Sequence, residues 1–65
     1  METIKVHLSD GTVVETPRSS YVVQEWYNGK WNNMATYPPT KEGYQKAQDK
    51  MQAIESKYVQ IVTFN

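Results

Sequence analysis

Trp26-Tyr27-Asn28-Gly29-Lys30-Trp31 decides how this 65-residue chain folds. Asn-Gly is the dipeptide that best tolerates the two positive-φ positions of a type I′ hairpin turn. Pairing outward from it sets Tyr27 opposite Lys30, Trp26 opposite Trp31, Gln24 opposite Asn33, Val22 opposite Ala35 and Tyr21 opposite Thr36. The two tryptophans then share one face on a non-hydrogen-bonded pair. Cross-strand side chains come closest there, and an aromatic couple adds roughly 0.5–1.5 kcal/mol beyond its burial. The strands joined by the turn run from Tyr21 to Tyr27 and from Lys30 to Tyr37.

Upstream, Thr3 to Leu8 alternates, with Ile4, Val6 and Leu8 on one side and Lys5 and His7 on the other, which is the pattern of a half-buried strand. Ser9-Asp10-Gly11 is a turn signal, by a two- or a three-residue connection, and Thr12 to Thr16 is the returning strand. Pro17-Arg18-Ser19-Ser20 forms a short loop before the main hairpin. Downstream, Pro38-Pro39 ends the fourth strand and Thr40 can cap a helix from about Lys41 to Ser56. Tyr44, Ala47, Met51, Ile54 and Tyr58 give it one apolar stripe, and Gly43 in its first turn suggests that a bulky sheet residue packs there. Tyr58 to Phe64 closes the chain as a fifth strand. The expectation is a single α+β domain over residues 1–65, in the order β-β-β-β-α-β. A mainly antiparallel sheet of about five strands carries one helix on one face, and the last strand runs parallel to the fourth.

With one helix, the second face of that sheet is left for water, a partner or a ligand. Face one of the main hairpin carries Trp26, Trp31, Val22, Ala35 and Tyr37; face two carries Tyr21, Val23, Met34 and Tyr27. Both are partly apolar, where a two-layer domain normally shows one polar side. Because large aromatics dominate cores, one reading puts the tryptophans beneath the helix and leaves Tyr21, Tyr27 and Met34 accessible. The other puts Tyr21, Val23 and Met34 beneath it and exposes Trp26, Trp31 and Tyr37, a cluster of the kind that marks an interaction site. The candidate partner-binding residues are therefore Tyr21, Trp26, Tyr27, Trp31, Met34 and Tyr37.

Composition argues against chemistry. Seven basic residues balance seven acidic ones, so nothing biases the chain toward phosphate backbones or anionic lipid. There is no cysteine, which fits a reducing cytoplasmic setting, and no apolar run long enough for a leader or a membrane span. His7 is the sole histidine and sits on the polar side of its strand; Gly11, Gly29 and Gly43 are isolated, and the acids are scattered. No catalytic residue, cofactor or metal site is assigned, and an enzyme is not expected. The abundant Asn and Gln side chains suit a protein interface as well as they suit water.

The Trp26-to-Trp31 segment resembles the tip of designed tryptophan-zipper hairpins, which concerns folding alone. Tyr21, Gly29 and Thr40-Lys41-Glu42 look like the outline of the sheet-plus-helix DNA-binding domains of the AP2 and integrase-arm type. Those domains place several Arg and Lys on the sheet, whereas this hairpin offers Lys30 alone, with Glu25 in its middle. By size and architecture the chain also resembles the small, cysteine-free proteins of bacteriophages that bind and inhibit host enzymes or defence complexes. That resemblance implies a soluble inhibitor or regulator contacting a host protein. Homodimerisation through exposed strand edges is a related expectation, and stacking of single-stranded nucleic acid on the sheet aromatics is the alternative.

Overall fold

The computed structural model describes residues 2–64. Its elements are β1 (Thr3–His7), β2 (Val13–Pro17), β3 (Tyr21–Tyr27), β4 (Lys30–Tyr37), α1 (Lys41–Ala53) and β5 (Val59–Thr63). The α+β class and the element order are those expected, but the strands divide between two antiparallel sheets: a β1-β2 hairpin, and a three-stranded sheet in the order β4-β3-β5. β5 does run parallel to β4, since both lie antiparallel to β3 between them.

The Asn28-Gly29 turn has φ of 56° and 80°, as type I′ requires. The register around it holds through Trp26 opposite Trp31 and Gln24 opposite Asn33. Beyond Gln24 it does not. A β-bulge leaves Met34 unmatched and shifts the pairs to Val23 with Ala35, Val22 with Thr36 and Tyr21 with Tyr37. Counting from a turn assumes an unbroken ladder, and one extra residue moves every later side chain to the opposite face. Ala35 and Tyr37 accordingly join Tyr21 and Val23 rather than the tryptophans.

Val22 and Val23 are adjacent on β3 and both wholly buried. Successive strand residues point to opposite faces, so both faces of the sheet must be covered. On the Val23 side lies α1. The Tyr21 ring meets Tyr44 edge-on at 5.1 Å, Ala47 is fully buried, and Ile61, opposite Val23, lines a groove with Tyr44 and Met51. On the Val22 side lies the β1-β2 hairpin, whose inward row is Ile4, Val6, Val14 and Thr16. One end of it is tied to β4 by the Ser9 N–H donating to the Asn33 carbonyl (2.8 Å), and the chain just past its other end is tied to the close of β5 by Ser19 N–H donating to Phe64 (3.0 Å). The expectation that the second face stays open is thus overturned over most of its area. β2 does not pair with β3, and the corner between them passes through Ser19, whose backbone is left-handed at φ 70°. Ser20, fully buried there, donates from Oγ to the Pro17 carbonyl and accepts from Thr16 Oγ1 at 2.9 Å.

The β1-β2 connection is the three-residue form. Gly11 N–H bonds the Leu8 carbonyl (3.0 Å), Leu8 N–H bonds Thr12 (2.8 Å), and Gly11 stands at φ 92°. Asp10 Oδ1 accepts the Thr12 N–H at 2.8 Å, and that bond, helped by the Thr12 hydroxyl, holds the Asp10 carboxyl below its ordinary pKa.

Thr40 caps α1 as its sequence position suggests, accepting the Gly43 N–H at 3.0 Å. The helix ends at Ala53 rather than at Ser56. Ile54 adopts extended backbone (φ −84°, ψ 116°), a conformation that suits its β-branched side chain, while its N–H still reaches the Lys50 and Met51 carbonyls. Ser56 then organises the step to β5, bonding Ile54 O through its N–H (2.9 Å) and accepting the Tyr58 N–H on Oγ (3.3 Å). Ile54 and Tyr58 therefore do not extend the helical stripe.

Candidate functional site

The face of the three-stranded sheet that meets the β1-β2 hairpin is built of cross-strand rows. Innermost is Thr36-Val22-Val62, whose centre is sealed. Next comes Asn33-Gln24-Gln60, and outermost, next to the type I′ turn, Trp31-Trp26 with Tyr58 beside it. The Trp26 N–H donates to the Tyr58 carbonyl at 2.9 Å, which continues the β3-β5 register one residue past the end of β5.

The middle row is a chain of amides. Gln60 Nε2 donates to Gln24 Oε1 (2.8 Å), Gln24 Nε2 to Asn33 Oδ1 (2.8 Å), and Asn33 Nδ2 to the His7 carbonyl (3.0 Å). Three strands and the end of β1 are linked by bonds running in one direction, each polarising the next. These Asn and Gln side chains, which the sequence offers equally to an interface, are here spent on the molecule's own structure; Gln24 is buried. Replacing Gln24 by leucine leaves the Gln60 donor and the Asn33 acceptor unmatched, and is expected to cost about 1–2 kcal/mol in urea unfolding. A neutral outcome would mean that water replaces both bonds.

Against this row stand the indoles. Trp26 and Trp31 pack edge-to-face with ring centroids 5.4 Å apart and planes at 72°, yet remain 43% and 39% exposed. They do not lie beneath the helix, so size alone misplaces them. They sit on the hairpin side of the sheet, next to the amide row. Tyr58 is 63% exposed. Tyr27 is 69% exposed and, being next to Trp26 on β3, points to the opposite face. The turn itself is braced by Asn32, whose Nδ2 donates to the Tyr27 and Lys30 carbonyls, each at 3.1 Å.

Of the six candidate residues, the structure gathers Trp26, Trp31 and Tyr27 at the hairpin tip. Tyr21 and Tyr37 pair with each other on the helix side and are half-buried. Met34 occupies the bulge, where its Sδ accepts from Ser9 Oγ at 3.5 Å, and it borders an open recess with Glu25, Tyr27, Lys30 and Asn32. Tyr58 is the residue that the sequence reading leaves in two places, on the helical stripe by three- and four-residue spacing and at the start of the fifth strand; the structure puts it with the strand, opposite Trp26. The polar run Glu55-Ser56-Lys57 is the signal that separates it from α1.

No family model, curated protein or solved structure matches this chain. Among the described residues no three His, Asp or Glu side chains gather closely enough to hold a metal ion. No helix among them is long and apolar enough to cross a membrane.

Proposed function

We propose that this chain is a non-enzymatic binding domain that engages another protein through the Trp31-Trp26-Tyr58 row, with Tyr27 exposed on the opposite face of the same tip. The observation that carries the reading is a pair of tryptophans about 40% exposed, fixed against each other, on a row that the β1-β2 hairpin leaves uncovered. Exposed aromatic clusters of this kind are what partner-binding hot spots are made of. Their geometry is set before any partner arrives, so little side-chain entropy is lost on association. Lys30 is the one basic residue of the β3-β4 hairpin and Glu25 stands within it, a poor match for phosphate. A cytoplasmic inhibitor or regulator of a host protein, like those of phages, is the form this activity takes in the proposal.

The test is to capture partners from cell extract on the immobilised chain, identify them, and titrate each with Trp26→Ala and Trp31→Ala. Each substitution is expected to weaken a true partner by about 30-fold, the effect of a hot-spot tryptophan, with a cooperative unfolding transition and the amide-exchange protection of the β3 core retained. Unaltered affinity in a folded variant sinks the proposal. Salt-sensitive binding to single-stranded oligonucleotides would replace it with the stacking alternative.

A further inference from the structure

The two edges of the three-stranded sheet are treated differently. Tyr27 pairs with Lys30 next to the turn, so Trp31, Asn33 and Thr36 turn their backbone groups outward on β4. That edge is obstructed: Ser9 N–H occupies the Asn33 carbonyl, the Asn33 side chain holds His7, and the bulge at Met34 breaks the line. On β5 the bond from Trp26 N–H to Tyr58 fixes the opposite parity, so Gln60 and Val62 face β3 while Val59, Ile61 and Thr63 face out. Among the described residues no backbone group bonds the outward side of those three. The strand Val59-Gln60-Ile61-Val62-Thr63 holds no charge, proline, glycine or bulge, which are the devices that keep a free edge from pairing.

Beside that edge the flank of α1 is neutral as well. Tyr44, Gln48, Met51 and Gln52 line, with Ile61, an open groove of about 430 Å³. Charge is what a two-fold interface excludes first, because each group there meets a copy of its own surroundings. In a chain with fourteen charged residues, nine positions of β5 and the adjoining flank carry none.

We infer that β5 pairs antiparallel with β5 of a second copy about a two-fold axis at Ile61, making one continuous six-stranded sheet. Val59 then lies opposite Thr63 of the second copy and Ile61 opposite its counterpart, each pair exchanging both N–H···O bonds. The two α1 helices come to lie side by side over the joint, their neutral flanks facing. A stable interface takes roughly 800 Å² from each partner, more than a five-residue edge supplies, and the half-exposed Tyr44 and Met51 are the apolar area at hand to extend it. Trp26 and Trp31 lie outside this contact, while Tyr58, one residue before β5, borders it opposite Phe64 of the second copy.

Sedimentation equilibrium on the intact chain, up to millimolar concentration, tests this. The expected species is about 15 kDa, twice the 7.6 kDa of one chain. Thr63→Lys places a charge on the edge and Gln52→Lys one on the helix flank. Both positions are exposed, so the fold survives, and each is expected to weaken dimerisation at least about tenfold. Trp26→Ala should leave it unchanged. A monomer at all concentrations, a dimer indifferent to both lysines, a dimer lost only in Trp26→Ala, or open-ended assembly instead of a closed pair would each overturn the inference.

Discussion

Gly43→Ala is expected to destabilise the protein by about 2–3 kcal/mol, lowering its midpoint by about 10–20 °C for a domain of this size. The opposite follows from helix propensity alone, by which alanine in place of glycine gains up to about 1 kcal/mol. Space decides between them. A methyl group at position 43 would stand 1.9 Å from the Pro38 carbonyl oxygen and 2.9 Å from its carbon. Both are backbone atoms of the segment joining β4 to α1, where the Pro38 carbonyl also accepts the Thr40 N–H at 2.8 Å, so the obstruction cannot swing aside like a side-chain end. Relieving it means prising the first turn of α1 off the sheet and disturbing the Thr40 cap together with the buried contact at Ala47. Thermal and urea unfolding followed by circular dichroism measure the change. A variant more stable than the parent would show that the Pro38-Gly43 approach is not close. Gly43 is buried against main chain, and a sequence read for side-chain packing has no means of seeing that.

What the sequence made legible follows the range of the interactions involved. The Asn28-Gly29 turn, the tryptophan pair and the Thr40 cap are decided by residues within five positions of one another, and each stands where local chemistry puts it. The bulge at Met34 is set from a distance. Ser9 and His7, more than twenty residues away, hold Asn33 in place while Tyr37 is drawn to the helix side opposite Tyr21. Apolar residues on both faces of the main hairpin are a true signal, but it has two causes: an unsatisfied face, or a second layer from the same chain. Over the inner rows the second cause holds. Over the outermost row the first does, which is why Trp26 and Trp31 remain in the candidate site and Tyr21 and Tyr37 leave its exposed part. Tyr58 enters only once α1 is seen to stop at Ala53 and the β3-β5 register can be extended by one residue.

That division makes Val22 the decisive position of the fold, and Val22→Ala is expected to cost about 2–3 kcal/mol, the same as Val23→Ala. Each substitution removes two buried methyl groups, worth about 0.8 kcal/mol apiece in transfer, and leaves a cavity between layers that cannot close completely. Val23 would carry this cost in any arrangement with α1 on its side of the sheet. Val22 carries it only if the β1-β2 hairpin seals the other side, and both valines are at 0% exposure. In a two-layer domain with an open second face the Val22 substitution would cost under about 0.5 kcal/mol, as surface changes do. Paired urea titrations therefore separate three layers from two. Amide exchange adds the mechanism: because Val6 is 2% exposed on the hairpin, Val22→Ala should loosen protection in β1 and β2 before it does so in α1, and Val23→Ala should do the reverse. Loss of both layers together in either variant would mean that the two valines anchor one cooperative core through β3. Equal costs with separable protection would mean that the hairpin is a layer in its own right, positioned by the amide row and bounding the exposed tryptophans on one side.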